Sequence, residues 1–498
     1  MALSGKLVRF GRSLWLSAVV AAALGLTTTI DASAQAFQSL ISFDVTNGAV
    51  PYYGPLVQGR DGNFYGTTQY GGANVNAACG ADLRGCGTVF KITAGGVLTT
   101  LYSFCSKPNC TDGANPWGAL ALGTDGNFYG TTYGGGANSP DGTIFRITPA
   151  GALTTVHSFD GTDGANPVGV LIQGMDGNGY GTTVNGGAYG YGTVFKINPN
   201  GALKTLYNFC SQSNCTDGAN PYAGLVQATN GYLYGTTEAG GIYRHGTVFA
   251  MSLSGKFRTL HNMDGPYGSS PYAGLMQAND GNFYGTTVGG GGRLGNEGEI
   301  YRITPTGVFT VLYGFTGLLG NGVSPVAGLV QGIDGNFYGT TNAGGTSGLG
   351  TIYEVTPAGA ETTLYEFCSE SNCTDGIVPN GGLLQATNGT FYGATEIGGT
   401  DQSDCGTGCG TLFSLGMNLA PFVSLVQSWG KIGTTAEILG QGFIGTSSVS
   451  FNGIPAIFVV HSSTYLTATV PQGATTGFVT VTTSGFTFQS NKPFQVIH

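Results

Sequence analysis

The chain has 498 residues, of which 90 are glycine and only 9% are charged, with a formal charge of −9. That composition excludes a helical bundle, and an acidic balance without Lys or Arg clusters excludes nucleic acid and anionic lipid as partners. With 41% apolar residues the chain can also bury a core, which excludes disorder.

The first segment, residues 1–34, reads as a signal peptide. Lys6, Arg9 and Arg12 precede an apolar stretch from Leu14 to Leu26, and Ala32-Ser33-Ala34-Gln35-Ala36 offers cleavage after Ala34 or after Ala36. A membrane anchor is the competing reading, but the stretch is short for a span and nothing later resembles a transmembrane helix. The protein is therefore expected to be secreted or to lie at the cell surface or in the periplasm.

From about residue 40 to 415 one unit recurs. Its core, D-G-N-F-Y-G-T-T, starts at Asp61, Asp125, Asp176, Asp280 and Asp334, with relaxed copies at Asn230 and Asn388. A G-T-[VI]-F element follows, relaxed in three copies, and then an L-x-x-[FM] element ending in Phe104, Phe159, Phe209, Met263, Phe315 and Phe367. The missing last element stands ahead of the repeats as Leu40-Ile41-Ser42-Phe43. A period of roughly 50 residues with four short strands, and one strand moved to the other end, is what a closed ring of sheets requires. The expectation is an all-β chain: a seven-bladed β-propeller over residues 37–417, closed by its N-terminal strand, then a small immunoglobulin-like β-sandwich over 420–498.

Within a blade, strand a is the G-L-V-Q type, b is F-Y-G-T-T, c is G-T-V-F-K-I and d is T-T-L-Y-x-F. The Asp-Gly between a and b predicts a tight hairpin with both central residues at positive φ. Connections a–b and c–d then share one face of the ring. The longer b–c and d–a loops, which carry the cysteines, share the other, and binding residues belong on such loops.

Ten cysteines form local pairs: Cys79 with Cys86, Cys105 with Cys110, Cys210 with Cys215, Cys368 with Cys373, and Cys405 with Cys409. Disulfides suit an exported chain, with zinc as the rival reading. Asp112, Asp163, Asp217 and Asp375 recur in [DN]-G-x-x-P segments, where an Asx turn competes with calcium. No metal or other cofactor is expected.

Function should sit where the blades differ. The position three before the strand-a leucine holds Tyr53, Trp117, Val168, Tyr222, Tyr272, Val326 and Asn380. Tyr53, Trp117, Tyr222 and Tyr272 are candidate ligand residues at a channel mouth, with packing between blades as the alternative. Tyr243, Arg244, His245 and Arg293 are further candidates, and Glu238, Glu396, Glu297 and Glu299 are acidic departures of the kind that are usually solvated. No catalytic residue is assigned: the five histidines share no spacing with Ser, Cys or acids that a triad or metal motif needs.

After Leu415 the repeats stop. Gly440-Gln441-Gly442-Phe443, Phe451-Asn452-Gly453-Ile454-Pro455-Ala456, Val470-Pro471 and Gly477-Phe478-Val479-Thr480-Val481 resemble the successive motifs of an IPT/TIG domain. The repeats, through D-G-N-F-Y-G-T-T, G-T-V-F-K-I and T-L-Y-S-F, resemble the GloVer tandem-repeat proteins, exported bacterial proteins with varied surface anchors. That resemblance implies no established activity. The expected role is a monomeric, non-enzymatic recognition or scaffold protein whose partner is a glycan or a surface protein, with a carbohydrate-active hydrolase or lyase and a purely structural envelope component as alternatives.

Overall fold

The computed structural model describes residues 35–497 apart from 77, 78, 80–84, 139, 292–296, 319 and 402–404. The proposed signal segment, Arg293 and His498 therefore lie outside the described residues. Repeated four-stranded antiparallel sheets give an all-β, propeller-like arrangement. Sheet 1 comprises Val57–Gln58, Phe64–Thr68, Thr88–Ile92 and Leu98–Ser103, and five more sheets follow in the same order, the last of them interrupted by Ala343–Gly344, which pairs with Gly322–Val323.

The last sheet of the repeats, sheet 7, is completed from the chain's other end. Its strands Leu384–Gln385, Phe391–Thr395 and Thr411–Gly416 are joined by Ala36–Ser42, which pairs antiparallel from Ala36 opposite Gly416 to Ser42 opposite Thr411. The Phe43 N–H then donates to the Gly410 carbonyl at 2.9 Å.

Each sheet is buried on both faces, which is why its strands do not alternate apolar with polar residues. In the F-Y-G-T-T strand the two rings point to opposite neighbours. Phe64 meets Tyr392 of sheet 7 at 4.2 Å between ring centroids, while Tyr65 meets Phe128 of sheet 2 at 4.1 Å. Except in sheet 4, where Met263 stands, the aromatic that follows each outer strand packs edge-on against the third strand of the next sheet, as in Phe104 on Phe145 at 5.1 Å and Phe367 on Phe413 at 5.3 Å. Phe43 does the same to Phe90 at 5.4 Å, so sheet 7 contacts sheet 1 as any other neighbours touch.

Glutamine supplies a second tie. The side-chain oxygens of Gln227, Gln277, Gln331 and Gln385 accept the N–H of Met175, Thr229, Asn279 and Ile333 in the preceding sheet's a–b turn. Gln58 accepts from Thr387 at 3.1 Å, again across the junction of sheets 1 and 7.

The a–b hairpins correct one expectation. Gly62 has φ +79°, but Asp61 is not at positive φ. The Gly62 N–H donates to the Gly59 carbonyl, making an ordinary turn followed by a left-handed glycine. Asp61 is held out of the left-handed region because its carboxylate accepts from both the Asn63 N–H and the Tyr65 hydroxyl.

All five expected disulfides are present. Together they fit an extracellular or periplasmic protein. Among the described residues no helix is long and apolar enough to cross a membrane.

Beyond residue 420, strands form two further four-stranded sheets, with Thr435–Leu439 and Tyr465–Thr469 in one and Ser448–Phe451 and Val479–Thr483 in the other. Both bury side chains in one core that includes Ile438, Phe451, Leu466 and Val481. This C-terminal unit touches the a–b turns of the repeats: Arg60 pairs with Glu437 at 2.6 Å, Gln441 donates to the Thr387 hydroxyl, and Asn279 donates to the Asn491 carbonyl.

A comparison of equivalent positions yields a prediction. Asn115, Asn166 and Asn220 precede a proline with φ between +53° and +56°, and their amides donate to the preceding sheet's carbonyls at Gln69, Tyr133 and Val184. Val378 occupies the same slot at φ +57°, where a β-branched residue costs about 1–2 kcal/mol. Val378→Asn should stabilise the protein by about 1 kcal/mol, read as a raised midpoint in denaturant unfolding; a lowered midpoint would refute this account of the slot.

Candidate functional site

The inner strands of all seven sheets surround a cavity of about 210 Å³, lined by residues such as Tyr53, Val168, Tyr222, Tyr272, Val326 and Gly382. Small residues let neighbouring inner strands approach closely: a Cβ at Gly118 would lie 2.4 Å from the Val168 carbonyl oxygen, and one at Gly54 2.5 Å from the Ala119 nitrogen. At the opposite end, Ser424–Trp429 of the C-terminal unit lie with Gln58, Gln173, Gln227 and Gln385 around a second space of about 400 Å³. The C-terminal unit thus lies across the a–b end of the axis, and the open mouth is on the face of the long loops.

The rim of that mouth is aromatic. Tyr52 and Tyr53 meet at 4.1 Å, Tyr52 meets Trp117 edge-on at 5.5 Å, and Trp117 stacks on Tyr133 at 4.2 Å with 15° between planes. Across the mouth Tyr222 and Tyr272 meet at 5.1 Å. All six are half-buried. Burial drives the Tyr53 and Tyr272 hydroxyls well above the usual tyrosine range, with Tyr52 beside the first and the Glu238 carboxylate beside the second adding to it.

Two carboxylates sit among these rings. The Tyr272 hydroxyl donates to Glu238 at 3.0 Å, and the Asn380 amide donates to Glu396. Burial raises the Glu396 carboxyl above the ordinary glutamate value. No Lys, Arg or His lines the cavity among the described residues.

Of the residues singled out from sequence, Tyr53, Trp117, Tyr222 and Tyr272 come together at the mouth. Tyr243, Arg244 and His245 instead occupy an exposed loop. Tyr52 and Tyr133 escaped the sequence reading. Tyr133 belongs to the slot directly after strand b, which also holds Gln69, Val184, Glu238, Val288, Asn342 and Glu396. Its variability was the available signal.

The recurrent Asp residues serve their own loops. Asp112 is fully buried and accepts from the Tyr102 hydroxyl, the Ser106 hydroxyl and the N–H groups of Ser106 and Lys107. Asp217 and Asp375 repeat that arrangement. Four sulfurs, of Cys79, Cys86, Cys105 and Cys110, lie within 4.8 Å of one another, so two bridges pack together between sheets 1 and 2.

Glu299 is not a solvated departure. It occupies the slot filled elsewhere by threonines such as Thr88 and Thr351, which pair with Thr68 and Thr341. Its side chain is 0% exposed, and neither oxygen has an ordinary hydrogen-bond partner. Burial pushes its carboxyl up to about 8, the nearby Gly291 N–H offsetting only part of that and Asp264 adding to it.

The folded state therefore keeps a proton that the unfolded chain releases above the ordinary value of 4.5. Stability should be fully present below that pH, fall as pH rises toward about 8 and then level, a loss on the order of 5 kcal/mol. Glu299→Thr should flatten this slope and raise the neutral-pH melting temperature. Parallel slopes for the two proteins in a pH series of melts would show that Glu299 is not its source.

A family model described as the Gloeobacter/Verrucomicrobia repeat matches residues 20–249, 172–331 and 227–451. Among solved structures, a protein provisionally assigned as a 6-phosphogluconolactonase from Bacteroides uniformis ATCC 8492 is 16% identical over 63% of this chain and 83% of its own, with a TM-score of 0.42. A second, from Bacteroides fragilis NCTC 9343, is 18% identical over 63% and 82%, with a TM-score of 0.40. Comparison with curated proteins finds no match.

Proposed function

This chain belongs to the Gloeobacter/Verrucomicrobia repeat family, and on that premise we propose that it is an exported recognition protein that binds a glycan at the aromatic mouth. In this reading residues 1–34 are a signal peptide and the seven sheets over 37–417 are the blades of a closed propeller. Residues 420–498 are an IPT/TIG-like, immunoglobulin-type sandwich that covers the far end of the axis.

The observation that carries the proposal is the rim of half-buried rings, Tyr52, Tyr53, Trp117, Tyr133, Tyr222 and Tyr272, around a cavity built from every sheet. The strand-b rings that pack between sheets, such as Tyr65 and Tyr180, are buried fully, whereas the rim rings are not. Rings left half open around a concave space offer flat apolar faces to a sugar ring. A carbohydrate-active hydrolase is the second reading, favoured by the raised carboxyl of Glu396 in the same mouth as Glu238.

Replacing Trp117, Tyr222 and Tyr272 together with Ala should weaken binding to the glycan fraction that the intact protein retains. A stacked ring contributes on the order of 1 kcal/mol beyond its area, so the loss should exceed about tenfold. Melting temperature is the control. Unchanged melting with lost binding supports the site, whereas retained binding moves the ligand face to Tyr243, Arg244, His245 and Arg293. Turnover of a glycan, abolished by Glu396→Gln, would favour the hydrolase.

A further inference from the structure

The mouth is one-sided in its hydrogen bonding. Asn380 is 5% exposed, its amide nitrogen is engaged by Glu396, and its side-chain oxygen is buried with no partner. Glu396 takes that amide on one oxygen and Glu238 takes the Tyr272 hydroxyl on one oxygen. The second oxygen of each has no side-chain donor, and neither acid has a basic partner among the described residues. A buried acceptor without a donor is costly, which singles out the Asn380 oxygen, while the free carboxylate oxygens belong to half-buried residues open to the mouth. The Trp117 ring nitrogen is in turn a buried donor without an acceptor.

A neutral sugar would satisfy Trp117 and stack on the rings, but its hydroxyls alone leave the negative charge uncompensated. An ammonium group offers only donors, carries the complementary charge and is attracted to the faces of Tyr and Trp. The net charge of −9 draws cations toward the protein as well.

We propose that the ligand is an amino-sugar oligomer with free, protonated amines: the rings stack on the aromatic rim while separate ammonium groups donate to Glu238 and to Glu396, which is held by the Asn380 amide. This rests on the reading of the mouth as a glycan site and adds the class of glycan. Acetylating the amine removes both the charge and two of its donors, so acetylation is the discriminating chemical change.

The test compares oligomers of glucosamine with oligomers of N-acetylglucosamine of equal length by calorimetry at mildly acidic pH. The free-amine oligomer should bind about tenfold or more tightly, the worth of a charge-assisted hydrogen bond with a cation–π contact, and the advantage should shrink with added salt. Glu238→Gln with Glu396→Gln should erase the advantage, so that the two oligomers bind the variant alike. Equal affinity for the two oligomers overturns the amino-sugar assignment and leaves the glycan reading standing. An advantage that survives in the double variant overturns the role given to the two acids. Binding of neither oligomer overturns the assignment, and a failure to retain any glycan fraction overturns the glycan reading with it.

Discussion

Every repeat sheet depends on the next one for its second covered face, and the contact that repeats this dependence is an outer-strand aromatic set edge-on against the neighbour's third strand. Phe104, Phe159, Phe209, Phe315 and Phe367 each make it at 5.1 to 5.4 Å. A linear stack would leave an apolar face and a strand edge open at both ends. Here Phe43 and the strand before it remove both at once: the strand completes sheet 7, and the ring of Phe43 covers Phe90 of sheet 1. The mouth exists only because of that closure, since its residues come from inner strands that are far apart in the chain.

The same constraint separates scaffold from site. Positions that tie neighbours together keep their chemistry in most sheets. Thr67, Thr182, Thr236, Thr286 and Thr340 each donate to the next sheet's inner-strand carbonyl, at Gly118, Ala223, Ala273, Ala327 and Gly381, whereas Thr131 has no partner and Ala394 replaces the threonine in sheet 7. Positions that face the mouth are released from this duty and vary, which is where Tyr53, Trp117, Glu238 and Glu396 stand. Glu299 is an exception of another kind, a change in a scaffold slot with no partner to neutralise it.

The repeat architecture was legible because it rests on local signals. Asp-Gly turns, a four-strand period and an orphan Leu40-Ile41-Ser42-Phe43 element specify the sheets and their pairing without knowledge of any distant contact. The conformation of the turn was misjudged because Asp61 has a better use for its carboxylate than a left-handed backbone permits: it holds Asn63 and Tyr65. Tyr52 and Tyr133 were not legible, since nothing along the chain says that the residue before one strand and the residue after another share a rim. Glu299 was misread as solvated because a carboxylate in a threonine slot looks like a surface substitution until the slot is seen to be closed.

The ring closure is tested most directly by removing residues 37–44 and following thermal unfolding by calorimetry. The account predicts that the single cooperative transition of the intact protein breaks into broad, lower-temperature steps, because sheet 7 loses an outer strand and sheet 1 loses the ring over Phe90. A truncated protein that melts in one transition at the original temperature would contradict closure by the N-terminal strand.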